Sequence, residues 1–367
     1  MKNFLLFFTF SLFTFSSCSK SGDQSNTNNT PVVKNVILPT LSTIDVSSIT
    51  ISKGITGGNI TKDGGGQIVS RGIVWSTSPN PTISLSTKSN DGTGTGSYVT
   101  NLDNLLSAVK YYIRAYATNS AGTAYGNEIS FTTNDIKVGM VGYYPFTGNA
   151  NDNSGNANNG IVTNAVLSQD RFGNLNSAYL FNGTTSNIRV PNSTTLKSST
   201  YQLTISAWVQ INQFTGNPKA GVIVDKSAGT TGDWGISYYD WDANPSVENL
   251  KFGAYVRGNG TVLVSGLQTK TVPTTGKWIH LLYSFDGNSN SNLYINGISE
   301  ITIGNGGNPF SLWPNTQDLY IGRSGTANGT FYSITGSNFN YFNGAIDDIR
   351  IFNRALNEEE ATYLFKH

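Results

Sequence analysis

The sequence predicts an all-β protein built as a small sandwich followed by a larger one, and three observations carry that prediction. Only 12% of its 367 residues are charged, while 40 glycines accompany abundant Asn, Ser and Thr, a composition that supplies many turns and little helical surface. Short runs of alternating apolar and polar residues recur between those turns, the period expected of half-buried strands. Asn296-Gly297, set between Leu293-Tyr294-Ile295 and the run Ile298 to Ile303, is the strongest hairpin signal in the chain and predicts a type I′ turn. The net charge of +1 lacks the basic excess that nucleic acid or a strongly acidic partner would call for.

The chain opens on Met1-Lys2-Asn3 and an apolar run from Phe4 to Phe15, too short to span a bilayer as a helix and patterned as a secretory signal. Ser16-Ser17 then precede Cys18, the only cysteine. This arrangement resembles the lipobox of bacterial lipoproteins, in which the cysteine becomes the acylated N-terminus. The alternative is an ordinary signal peptide with an incidental thiol. A single unpaired cysteine is unexpected in an exported chain and favours the anchor. The resemblance implies residues 1–18 as a lipoprotein signal, attachment to the membrane through lipid alone, and an outer-membrane lipoprotein at the cell surface. Residues 19–35 are mostly polar and are expected to form a disordered tether.

Residues 36–135 form the first predicted domain. Ile49 to Ile51, Ile68-Val69, Gly72 to Trp75, Tyr111 to Ala117 and Ile129 to Phe131 read as short strands between Gly-, Asn- and Pro-rich turns. Leu105 six residues before Tyr111, with Ile113, Ala115 and Ala117 on one parity, resembles the second half of a fibronectin type III domain with its tyrosine corner, and such modules usually act as spacers. Asp91 to Ser97 is glycine-rich, but it lacks the Lys-Ser/Thr ending of a phosphate loop and leads into a strand, so it reads as a hairpin loop. Trp75 reads as core.

The second domain is expected over residues 138–367. Its last strand, Gly344 to Leu356, places Asp347 on the parity of Ile349 and Ile351, so that one carboxylate is expected to point toward the apolar side. Asn357 with Glu360 forms a capping box for a closing helix with Ala361, Leu364 and Phe365 as its apolar stripe. Together with Val141 to Phe146, Ala178 to Gly183, Leu203 to Val209, Gly276 to His280, Leu293 to Gly297 and Leu319 to Gly322, this ending resembles the laminin-G-like jelly-roll domains of the concanavalin A-like lectin and glucanase superfamily. The strand from Trp278 to Phe285 is apolar on both parities and is expected to be central, with His280 a packed or hydrogen-bonded residue. The only other histidine is His367, which excludes a multi-histidine zinc site and leaves little room for a Ser-His-Asp triad.

Two kinds of site follow. The resemblance implies a structural calcium between the first and last strands, with Asp152 and Asp347 as ligands and Asn151 and the carbonyl of Asn174 as weaker additions; calcium takes six to eight hard oxygen ligands. The alternative is an Asx-turn at Asp152 and backbone hydrogen bonds to Asp347. For sugar, exposed aromatics flanked by carboxylates are the signature. Tyr239 and Trp241, with Asp240 and Asp242, meet it if Trp234, Ile236 and Tyr238 face inward, and Trp313 is a second choice. The E-x-D-x-x-E string of the laminarinase-type glucanases does not occur in this sequence, so no catalytic residue is assigned; Glu248 with Asp240 or Asp242 remains the formal carboxylate pair. The expected protein is a monomeric surface lipoprotein binding glycan or another extracellular ligand without catalysis. The alternatives are a glycan hydrolase and a protein-binding adhesin.

Overall fold

The computed structural model of the protein describes residues 35–197, 202–216, 219–227, 233–240, 249–257, 263–287, 290–304, 315–325 and 340–367. Cys18, Trp241, Asp242, Glu248 and Trp313 lie outside the described residues. The strands of the N-terminal part are β1 (Thr40–Ser47), β2 (Gly54–Lys62), β3 (Ser70–Ser76), β4 (Gly96–Leu102), β5 (Lys110–Asn119), β6 (Gly122–Tyr125) and β7 (Ile129–Thr132). They make a sheet ordered β1-β2-β4 and a second ordered β3-β5-β6, with β7 also on β5. Ile60, Ile73, Tyr98, Leu102, Leu105, Ile113 and Phe131 share the core of this part. The Tyr111 hydroxyl accepts from the Leu106 backbone N–H at 2.9 Å, tying the loop before β5 to the strand.

Two expectations for this part are corrected. Ile49 to Ile51 is not a strand but a bend between β1 and β2, and Ile68-Val69 precedes β3. Conversely β2 carries Gly57-Gly58, which hides its alternation. Both glycines are required by packing, because a Cβ on Gly57 would stand 2.0 Å from Tyr98 O and one on Gly58 2.4 Å from the Tyr98 hydroxyl.

The larger part begins with β8 (Met140–Tyr144), β9 (Ile161–Thr163), β10 (Val166–Ser168), β11 (Ala178–Asn182), β12 (Asn187–Val190), β13 (Leu203–Ile211), β14 (Ala220–Lys226) and β15 (Trp234–Asp240). It continues with β16 (Leu250–Arg257), β17 (Leu263–Gln268), β18 (Trp278–Phe285), β19 (Asn290–Ile295), β20 (Ile298–Gly304), β21 (Leu319–Ile321), β22 (Asn343–Phe352) and helix α1 (Glu358–Lys366). One sheet runs β10-β11-β22-β13-β18-β19-β20, with β8 also on β22; the other runs β17-β16-β15-β14-β21-β12-β9. Alternate residues of β13, namely Leu203, Ile205, Ala207, Val209 and Ile211, meet Trp234, Ile236, Tyr238 and Phe252 of the facing sheet in one core. Each large apolar side chain buried there contributes about 1.5–3 kcal/mol relative to exposure. The β18 strand is central, paired to β13 and β19, and Asn296 and Gly297 both take positive φ in the β19–β20 turn, as a type I′ hairpin demands.

The capping box forms as the sequence implies: Asn357 accepts from Glu360 N–H, and the Glu360 carboxylate accepts from Asn357 N–H, each at 3.0 Å. Helix α1 packs on the outer face of the eight-stranded sheet, where Ala361 and Leu364 join Leu282, Tyr294, Phe352 and Leu356. Ile51 and Ile136 of the N-terminal part and its connection complete this cluster. Polar bonds reinforce the joint. Thr50 and Ser52 donate to Glu359 at 2.6 and 2.7 Å, Ser107 N–H donates to the Tyr363 hydroxyl at 3.1 Å, and Arg354 donates to Val138 O at 2.6 Å.

The parity expected for Asp347 is overturned by a bulge. The register between β13 and β22 shifts between Ser206 and Trp208, and Asp348 takes φ of 51°. One residue inserted in a strand reverses the facing of what precedes it. Ile346, Ile349 and Ile351 therefore all enter the core, while Asp347 sits opposite Trp208 on the outer face. Trp208 is likewise buried, but against Phe365 of α1 rather than between the sheets, and Trp278 is only half-buried.

Candidate functional site

The seven-stranded sheet turns one face to the core and carries the aromatic candidates on the other. Trp234, Ile236 and Tyr238 of β15 and Leu250, Phe252, Ala254 and Val256 of β16 point inward. Alternation then places Gly235, Ser237 and Tyr239, with Lys251, Gly253, Tyr255 and Arg257, on the opposite face. Along this face the cross-strand rows are Asp225-Gly235-Tyr255, Val222-Ser237-Gly253 and Ala220-Tyr239-Lys251.

The first row is a closed polar network. The Asp225 carboxylate accepts from the Tyr255 hydroxyl, from Ser227 Oγ at 2.6 Å, from Ser324 Oγ at 3.1 Å and from Gly325 N–H at 2.6 Å. Tyr255 reaches Asp225 across Gly235, where a Cβ would lie 2.9 Å from the Tyr255 ring and 3.1 Å from Asp225 Oδ1. Complete burial raises the Asp225 carboxyl above its ordinary range, and its four donors pull the other way. The Tyr255 hydroxyl is pushed up by burial and by Asp225. Ser237 in the middle row is 2% exposed. The face opens toward its far end, where Tyr239 and Lys251 are partly exposed; burial and neighbouring Asp240 raise the Tyr239 hydroxyl.

Of the sugar candidates, Tyr239 thus stands at the accessible end of the face, and Asp240 accepts from Asn249 N–H at 3.1 Å. Trp241, Asp242 and Trp313 are outside the described residues. Asp225 carries no local signal, because a lone Asp after an apolar strand reads as its exit.

The calcium candidates have other partners. Asp152 accepts from Tyr143 N–H at 2.9 Å, from Ser154 N–H and Oγ at 2.8 Å each, and from Asn158 N–H at 2.9 Å, which includes the Asx-turn. Asn151 N–H donates to Asn149 Oδ1, and the Asn174 carbonyl accepts from Asp170 N–H. Asp347 is held by Arg171 at 2.6 Å, and Arg171 also reaches Asp348 at 3.0 Å. As placed, these residues do not fit a calcium ion: the donors already meet both carboxylates, and among the described residues no cluster of three acidic, His or Cys side chains suits a metal. The calcium expectation rests on the resemblance alone.

The partner of Asp347 was missed because Arg171 lies 176 residues away in a turn. Its guanidinium is sandwiched between the Phe172 and Trp208 rings at 4.5 and 4.7 Å, and Arg350 reaches Asp348 at 3.1 Å. Burial and neighbouring Asp348 raise Asp347 to about 7, against the pull of Arg171. Beside this cluster His280 shares a 2.8 Å hydrogen bond with Ser206. Burial, with Arg350 and Arg171, lowers its imidazole to about 3, so it is neutral.

Comparison with known proteins agrees with this architecture. Residues 182–362 match the family model described as the concanavalin A-like lectin/glucanases superfamily, laminin G type. No curated protein matches the chain. Among solved structures, domain 4 of AbnA, an extracellular arabinanase from Geobacillus stearothermophilus in complex with arabinotriose, is similar at 22% identity and TM-score 0.44, covering 61% of this chain and 97% of that one. The binding domain of Paraclostridial Mosquitocidal Protein 1 is similar at 18% identity and TM-score 0.48, covering 63% of this chain and 52% of that one. The binding domain of botulinum neurotoxin DC, in complex with rat synaptotagmin II, is similar at 14% identity and TM-score 0.45, with coverages of 63% and 52%. The chain spans about half the length of these last two. The larger sandwich thus contains, over residues 182–362, a laminin-G-type domain of the concanavalin A-like lectin/glucanases superfamily.

Proposed function

We propose that this protein is a non-catalytic binding protein for extracellular glycan, held at the cell surface by lipid on Cys18, with residues 36–135 as a fibronectin type III-like mount and residues 138–367 as the binding domain. The observation that carries the reading is the half-open end of the seven-stranded sheet. There Tyr239 lies on the face away from the core, flanked in its cross-strand row by Lys251 and followed in sequence by Asp240, Trp241 and Asp242. An aromatic face beside charged groups suits a pyranose, whose apolar face stacks while its hydroxyls take hydrogen bonds. Of the described carboxylates of this sheet, Asp225 and Asp240 accept from structural donors and Asp233 is buried beside Asn315 Nδ2, which favours binding over an acid and nucleophile pair. The Tyr111 to Leu106 bond and the β1-β2-β4 and β3-β5-β6 sheets support the fibronectin-like assignment.

The test is a glycan array probed with the full chain and with Tyr239→Ala and Trp241→Ala. Binding that falls at least tenfold in both variants, with unchanged circular dichroism, supports the reading. Binding retained in both removes this face. Polysaccharide turnover abolished by Glu248→Gln would replace the proposal with a hydrolase, and binding that survives deglycosylation of a partner would replace it with a protein adhesin. Cys18→Ser is expected to release the protein from membranes, and retention there would refute the anchor.

A further inference from the structure

The end of β14 carries a lysine with unusual company. Lys226 is 1% exposed, and its ammonium donates to Asn192 Oδ1 at 3.1 Å, to Asn315 O at 3.2 Å, to Asn315 Oδ1 at 2.9 Å and to Gln317 O. All four are neutral oxygens, so among the described residues no carboxylate touches the ammonium, and the more distant Asp318 and Asp233 offset the cost of burying it only in part. Burial lowers its pKa to about 8, which makes the neutral amine accessible near physiological pH.

Asn315 is held as an electrophile would be. Its Oδ1 accepts from Gln317 N–H at 2.9 Å, a donor fixed on the oxygen where negative charge would develop, and Lys226 Nζ reaches the same oxygen at 2.9 Å. Its Nδ2 donates to Lys226 O at 2.9 Å and lies 3.4 Å from Oδ1 of Asp233, a fully buried carboxyl. With the carbonyl bond about 1.2 Å long, Lys226 Nζ stands no more than about 4.1 Å from Asn315 Cγ. Water is kept from the group, since Asn315 is itself only 7% exposed.

We propose that Lys226 and Asn315 become joined by an amide bond between Nζ and Cγ, with Asp233 stabilising the departing Nδ2 and ammonia leaving. The neutral amine attacks Cγ, and the carbonyl electron pair moves onto Oδ1 beneath the Gln317 N–H. In the adduct a proton passes from Nζ to Nδ2, and Asp233, whose Oδ1 lies 3.4 Å from Nδ2, holds the positive charge that forms there. The Cγ–Nδ2 bond then breaks, its electron pair departs on ammonia, and the carbonyl re-forms. Nothing is oxidised or reduced, and no cofactor is needed. Desolvation of the amine and its fixed approach to the amide supply what free lysine and asparagine lack in water. The cross-link would tie β14 to the segment entering β21, closing a long loop within the seven-stranded sheet.

The test is mass spectrometry of the full chain after unfolding and digestion. A peptide branched at Lys226 and Asn315, lighter than its two components by one ammonia, is the expected result. Linear peptides containing unmodified Lys226 and Asn315, recovered without any branched species, would overturn the proposal. Because Lys226→Ala opens a buried space, Asp233→Asn is the more informative variant. It preserves shape and is expected to fold with native circular dichroism and yield only linear peptides. A branched peptide persisting in Asp233→Asn would overturn the role given to Asp233 at the leaving nitrogen.

Discussion

Replacing Arg171 by methionine removes the charge that holds Asp347 and Asp348 while keeping much of the side chain's apolar length. The three side chains are 9%, 4% and 7% exposed, so the two carboxylates lose their common partner in a place water barely reaches. Breaking a buried pair in this way costs about 3–5 kcal/mol. The lower end is expected, because Asp347 takes up a proton near neutral pH and Arg350 still reaches Asp348. For a domain of this size each kcal/mol lowers the melting temperature by about 2–4 °C, giving a fall of about 6–12 °C. Calorimetry at pH 5 and pH 8 is the assay. The deficit should be larger at pH 8, where Asp347 is ionised and without its cation, than at pH 5, where it is protonated. A variant within about 0.5 kcal/mol of the parent at both pH values, the range of an ordinary surface substitution, would show that the cluster is solvated and the outer face unsealed.

Three further outcomes follow from described contacts. Gly235→Ala pushes a methyl group against the Tyr255 ring and Val224 O, 2.9 and 2.6 Å from the new atom, and should cost about 1–3 kcal/mol in urea unfolding; a neutral result would mean that Tyr255 does not cross Gly235. Asp347, raised from 3.8 to about 7, binds its proton first in the native state, so its contribution is full below pH 3.8 and is lost as pH rises through about 7. His280, lowered from 6.5 to about 3, gives stability present above pH 6.5 and lost as pH falls through about 3. The two slopes oppose each other across the shared window. Urea midpoints measured from pH 3 to pH 8 should therefore fall with rising pH in His280→Gln and rise in Asp347→Asn, and parallel profiles for both variants would contradict the environments described. Calcium and EDTA should leave the melting temperature unchanged while Arg171 occupies Asp347; a calcium-dependent rise lost in Asp152→Ala would show that the carboxylates rearrange around a metal.

Several strands and turns of the larger sandwich were legible because their signals are local. Alternation along Leu203 to Val209, the Asn296-Gly297 turn and the Asn357 capping box each depend on a few adjacent residues. What escaped depends on distant partners. Gly57 and Gly58 look like a turn until Tyr98 is seen lying against them, and Ile49 to Ile51 looks like a strand although Ile51 is spent on the joint with α1. The bulge at Asp348 has no sequence mark beyond two adjacent aspartates, yet it reverses the facing of Asp347. At the candidate site, parity separated the inward trio of Trp234, Ile236 and Tyr238 from Tyr239. It had no means of finding Asp225, whose four donors come from three separate strands and loops.

The joint at α1 also fixes how force would travel through the molecule. If the chain is held near its start and pulled through a ligand on the larger sandwich, the load reaches residues 133–139 where the two parts connect. That connection does not hang free, since Arg354 grips Val138 O, Asn353 N–H donates to Gly139 O, and Ile51 and Ile136 are embedded beside Leu282 and Phe352. Tension would be shared among these contacts and borne in shear across an apolar seam, rather than concentrated on one backbone segment. The smaller sandwich thereby behaves as a bracket bolted to the larger one, and the bracket sets the direction in which the larger sandwich is presented.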